Sequence, residues 1–198
     1  MYKRNRIQPM RSSFVLLLFF SFSAFANSGE TCLPSITIES FTSLMKTTKD
    51  QFFPELNNVS INVSTFRSDA YFLQAQPRIK TLVKNRIKRQ YSVQLNLKLL
   101  ECPPREDALK AILVHELEHV KDYTGWSSAK IAKHGAHYST SMNLKVAYER
   151  QTDRKVLEKG LHIGLAGYRE WVYQWLTPEE LSRKRRIYLT PEEILSNY

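Results

Sequence analysis

Past residue 26 the chain has no apolar run approaching the roughly 20 residues that cross a bilayer, which excludes a membrane span in that portion. Cysteine is nearly absent, with two in 198 residues. Cys32 and Cys102 lie too far apart in sequence for a C-x-x-C metal or redox site. In an oxidising compartment such a pair is most simply one disulfide, which would add about 2–4 kcal/mol by restricting the unfolded chain; the alternative is two separate buried thiols. No linker or low-complexity segment interrupts the chain, and no acid interrupts the run from Arg78 to Arg89. That run holds Arg78, Lys80, Lys84, Arg86, Lys88 and Arg89, and a second basic cluster is Arg183-Lys184-Arg185-Arg186. Basic runs suit either a solvated surface or an anionic envelope surface. No nucleic-acid-binding motif accompanies them, so no nucleic-acid partner is expected.

What is present begins with a leader pattern. Lys3, Arg4, Arg6 and Arg11 precede an apolar run from Phe14 to Phe22 and then Ala24-Phe25-Ala26. This reads as a secretory signal peptide cleaved after Ala26, which would place the remainder, residues 27–198, in the periplasm or outside the cell as one domain. The formal charge of +10 falls to +6 when those four cations leave.

Alternating apolar and polar residues mark strands at 59–64 and, most cleanly, at Tyr91 to Leu99, where one face should be buried and the other wet; Ala70 to Gln76 is a further strand candidate. The strand over 91–99 either presents an edge to an extended ligand or lies inside a sheet. Helical spacing covers about 41–53, 104–123, 141–159 and 165–175, and 126–140 reads as a loop carrying His134 and His137. Thr177-Pro178-Glu179-Glu180 and Thr190-Pro191-Glu192-Glu193 each combine an N-cap, a proline and a capping-box acid, so each starts a short helix. The expected fold is α+β: a small, mostly antiparallel sheet packed on the helix over 104–123 and on a second helix over 141–159.

The chemistry concentrates in His115-Glu116-Leu117-Glu118-His119. An H-E-x-x-H on a helix puts two imidazoles one turn apart on the same face, where both reach one zinc ion. Glu116 then stands beside the metal as a general base toward water. A catalytic zinc needs a third ligand. Metzincins would supply glycine and histidine three and six residues after His119, and Asp122 and Gly125 occupy those places, which removes that class. Glu149 is the best candidate, with His134, His137 and Asp122 the others. Glu149 and Asp153 are spaced i and i+4, so Asp153 can accept a hydrogen bond from the outward nitrogen of a ligand histidine. If Glu149 is the ligand, its carboxylate must lie roughly 3–4 Å from the metal-facing nitrogens of both histidines.

H-E-x-x-H followed on a later helix by E-x-x-x-D resembles the gluzincin metallopeptidases. The 29 residues between the motifs are similar to the compact spacing of minigluzincins and of the catalytic domain of CAAX prenyl proteases, without the membrane spans of the latter. The resemblance covers about residues 91–160. Glu118 departs from the small residue that relatives often carry, and Thr152 from alanine. The resemblance implies zinc-dependent hydrolysis of a polypeptide substrate with Glu116 as general base and then proton shuttle. It also implies a downstream His or Tyr donating to the developing oxyanion, for which His162 and Tyr168 are the nearest candidates. Two rival readings stand beside it: a non-catalytic envelope-binding protein with a structural zinc, and a zinc hydrolase of a non-peptide cell-wall bond.

Overall fold

The computed structural model describes residues 32–196; the expected leader and its cleavage site lie outside them. The described chain is α+β. Helix α1 (Ile38–Phe52) starts from a Thr37–Ser40 capping box and ends before Pro54. Strands β1 (Ser60–Phe66), β2 (Leu73–Pro77) and β3 (Gln90–Asn96) form one sheet in the order β1-β3-β2. The sheet is mixed: β1 runs parallel to β3, with Val63 beside Val93, and β2 runs antiparallel to it, with Ala75 beside Val93.

The β3 segment differs from its sequence pattern in two ways. It stops at Asn96, whose side chain caps a short helix α2 (Leu97–Glu101) and donates to the Tyr71 carbonyl at 2.8 Å. Its polar face is not wet. Being central, β3 has neighbours on both edges, and Gln94 Oε1 accepts from Gln74 Nε2 at 2.8 Å and Gln76 Nε2 at 2.7 Å. Ser92 and Asn96 are buried. β3 therefore cannot present an edge; β2 does.

Helix α3 (Glu106–Gly125) opens with Glu106 and Asp107 in its first turn, where carboxylates complement the helix dipole. Leu109, Ile112, Leu113, Leu117 and Val120 are all buried. Two hydrophobic clusters meet on this helix, one with Phe41, Phe72, Val93, Leu95 and Trp171, the other with Phe53, Leu56, Tyr91, Val156 and Leu165. The segment expected as a loop over 126–140 is mostly helix, α4 (Ser128–Thr140), capped by Ser127. Ile131 is its one buried residue. With so little apolar face, the periodicity that marks a helix in sequence is missing. Next come α5 (Met142–Glu158), stopped by Gly160 at φ 76°, and α6 (His162–Tyr173). Then α7 (Pro178–Ile187) and α8 (Pro191–Leu195) both start at the expected Thr-Pro caps.

Cys32 and Cys102 are joined in a disulfide that ties the start of the described chain to the turn before α3. Helix α6 lies close against α3. A β-carbon built on Gly164 would stand 2.3 Å from the Asp107 carbonyl oxygen and 3.1 Å from Ala111 Cβ. Gly164→Ala should therefore force the two helices apart and cost about 1–3 kcal/mol. Chemical denaturation checks this, and a change within about 0.5 kcal/mol would refute the close contact.

Candidate metal centre

His115 and His119, one turn apart on α3, are both buried, and α5 brings Glu149 to the same point. His115 Nε2 lies 3.0 Å from Glu149 Oε2 and 3.1 Å from His119 Nε2; His119 Nε2 lies 3.4 Å from Glu149 Oε2. These distances satisfy the interval set for a third ligand. Donors at about 2.0–2.2 Å from a tetrahedral zinc stand about 3.3–3.5 Å from each other, so the triangle needs little adjustment to fit such an ion. The three residues form a group that could hold a metal ion, and the donor set of two imidazoles and one carboxylate is compatible with zinc. His134 lies on the cleft wall, His137 is exposed, and Asp122 is engaged by Tyr148 at 3.1 Å and Lys155 at 3.1 Å.

The surrounding groups hold the triad in place. Tyr138 of α4 donates to Glu149 Oε1. Asp153 Oδ1 lies 2.9 Å from His115 Nδ1, the outward nitrogen of that ring. The same carboxylate accepts from Arg169 Nη2 of α6 at 2.7 Å and from the Leu189 backbone N–H at 2.9 Å. Asp153 thus joins α3, α5, α6 and the segment entering α8. Within the motif, Glu118 turns away from the triad. It is buried against Lys155 at 3.5 Å and Lys159 at 3.3 Å, which accounts for a charged residue where a small one was expected. Thr152 is also buried, its hydroxyl donating to the Tyr148 carbonyl at 3.0 Å.

Electrostatics follow this arrangement. Burial disfavours a charged His115, but the Asp153 and Glu149 carboxylates outweigh it and raise its pKa to about 10. Burial would raise Glu149, yet His119 and His115 hold it well below the usual carboxylate range. Burial would likewise raise Asp153, and Arg169 with His115 keeps it low. Glu116 goes the other way: burial raises it, and the two histidines only partly oppose that. A carboxylate lifted toward neutrality is suited to exchanging protons.

Glu116, His119 and Glu149 face a cleft of about 310 Å³, with His115 behind them. Leu73, Gln74 and Ala75 of the edge strand β2 form one wall, and His134, Tyr138, Tyr148 and Tyr188 contribute N–H and O–H groups around it. Of the two residues named from sequence as oxyanion donors, His162 stands at the start of α6 and outside the lining of this cleft. Tyr168 is buried, stacked on Trp171, and lines a smaller cavity shared with His115 and Glu116. Tyr138 on α4 was not found in sequence because that stretch was read as loop, and His134 was named there only as an alternative ligand. The pairing of Arg169 with Asp153 had no signal in sequence at all.

The class defined by this geometry is an α+β chain with a buried His-His-Glu group compatible with a metal ion, and among the described residues no helix is long and apolar enough to cross a membrane. No family model, curated protein or solved structure matches the chain.

Proposed function

We propose that the protein is an exported, zinc-dependent metallopeptidase of gluzincin type. The observation that carries this reading is the meeting of three donors within 3.4 Å, two of them lining a cleft that Glu116 and the edge strand β2 also line. His115, His119 and Glu149 would hold the zinc. The ion would supply Lewis acidity toward a carbonyl and toward water. Glu116 takes a proton from the attacking water and passes it to the leaving amine, a role favoured by its raised pKa. The outer edge of β2, which no described strand pairs, suits an extended peptide, which can add backbone hydrogen bonds along it. Among the cleft residues, His134 and the hydroxyl of Tyr188 are the candidates for donating to an oxyanion, because the Tyr138 and Tyr148 hydroxyls already donate to Glu149 and Asp122.

The test is Glu116→Gln. The variant should keep zinc and fold while hydrolysis of a peptide library falls by about 10²–10⁴-fold. A wild-type protein that binds zinc but cleaves neither peptides nor cell-wall fragments would reject enzyme function and favour the structural-zinc reading. Cleavage of cell-wall fragments alone would move the substrate to a non-peptide bond.

A further inference from the structure

The basic segment between β2 and β3 is a built surface feature. It folds as successive tight turns, with Thr81, Leu82 and Lys84 donating backbone N–H groups to Arg78, Ile79 and Thr81, and Lys88 and Arg89 doing so to Asn85 and Arg86. It is pinned from inside. Buried Arg89 donates to the Trp126 carbonyl at 2.8 Å and to Ser128 Oγ at 2.9 Å, and Thr81 Oγ1 accepts from the Gln90 N–H at 3.0 Å. Three large aliphatic side chains, spaced four residues apart, nevertheless point to solvent: Ile79 is 81 % exposed, and Val83 and Ile87 are each 92 % exposed. The next most exposed large hydrophobic among the described residues, Ile163, reaches 60 %. Around the three stand Arg78, Lys80, Lys84, Arg86 and Lys88, all exposed and none in an ion pair with a described residue.

A soluble surface has reason to carry the cations but none to display the aliphatic groups with them. A protein partner would have to offer an apolar patch shaped to all three aliphatic side chains inside an acidic rim, and a nucleic acid would meet the charges with its phosphates and leave the aliphatic side chains in water. Interfacial membrane binding uses both features at once, with apolar side chains entering the acyl boundary and cations meeting anionic headgroups. We propose that residues 78–88 form a docking loop for an anionic lipid bilayer, with Ile79, Val83 and Ile87 as the inserting residues. Through Arg89 the loop is fastened to Trp126 and Ser128 at the start of α4, the helix that supplies His134 and Tyr138 to the cleft wall. Docking would therefore anchor the protein close to its candidate active site.

The test reads the loop itself in the full chain, because an apolar leader could bind vesicles on its own. Position 83 is open enough to take Val83→Trp without repacking. In vesicles containing phosphatidylglycerol with brominated acyl chains, the introduced indole should be quenched, as a difference against the unsubstituted protein. In phosphatidylcholine vesicles it should not. Each cation near an anionic surface strengthens binding by about fivefold, so adding Lys84→Glu, Arg86→Glu and Lys88→Glu should abolish the quenching, and raised salt should weaken it. The partner double substitution Ile79→Ser and Ile87→Ser should weaken loop insertion by at least about tenfold. All these positions are exposed, and circular dichroism confirms that each variant is folded. Absent quenching in anionic vesicles, or quenching equal in both lipids and indifferent to the charge reversals, overturns the proposal. Neither result depends on whether the protein hydrolyses anything.

Discussion

Asp153→Ala should destabilise the protein by about 3–5 kcal/mol, the cost of leaving a buried charge without its partner. Asp153 is fully buried, and its carboxylate is the meeting point of His115, Arg169 and the Leu189 N–H. Arg169 is itself buried and loses the 2.7 Å contact that neutralises it. The Leu189 N–H loses its acceptor, and with it the C-terminal segment loses the bond that seats Leu189 and Ile194 in the second hydrophobic cluster. For a domain of this size about 1 kcal/mol corresponds to about 2–4 °C, so the melting temperature should fall by on the order of 10 °C. Asp153→Asn keeps an acceptor but not the charge and should fall between the two. A loss below about 1 kcal/mol for Asp153→Ala would mean that Arg169 finds water instead, and that the four-way junction is not what holds the C-terminal helices.

That junction also marks the boundary of what sequence could reveal. The ligand pattern was legible because it is local: His115 with His119, and Glu149 with Asp153, are each one helical turn apart, and one turn places side chains on one face whatever the rest of the fold does. The Thr-Pro helix starts at 177 and 190 were legible for the same reason. Contacts between elements were not. Nothing in the spacing of Arg169 or Leu189 says that they close on Asp153. The order of the strands decides that β3 is central and β2 is the edge, and that order depends on pairings between segments distant in sequence. Helix α4 was hidden by its composition: it is held by the Ser127 cap and by rings, with His134 packed 4.5 Å from Tyr148 and 4.7 Å from Trp126, in place of an apolar stripe. The strand ending at Asn96 continues its alternation through Leu99, and only the Asn96 cap turns the chain into a helix.

The sharpest separation of the metal reading from coincidence comes from two carboxylates on the same pair of helices. Glu149→Ala should weaken zinc binding by more than about 100-fold, beyond the 10–100-fold that follows loss of a group supporting a ligand. It removes one of three donors and leaves two imidazole nitrogens 3.1 Å apart, which without a metal can do no more than share a proton. Glu118→Gln is the matched control. Glu118 lies inside the motif, is as buried as Glu149, and is paired with Lys155 and Lys159, yet it is absent from the donor group. It should lower stability, because Lys159 loses its carboxylate partner and Lys155 is left with Asp122 alone, while zinc stoichiometry after dialysis against a weak chelator stays at one. Metal content and competition with a chromophoric chelator read both variants directly. Equal loss of zinc in the two would mean that general unfolding, not ligation, releases the ion. Retention of tight binding by Glu149→Ala would shift the third ligand elsewhere, and the gluzincin reading would fall with it.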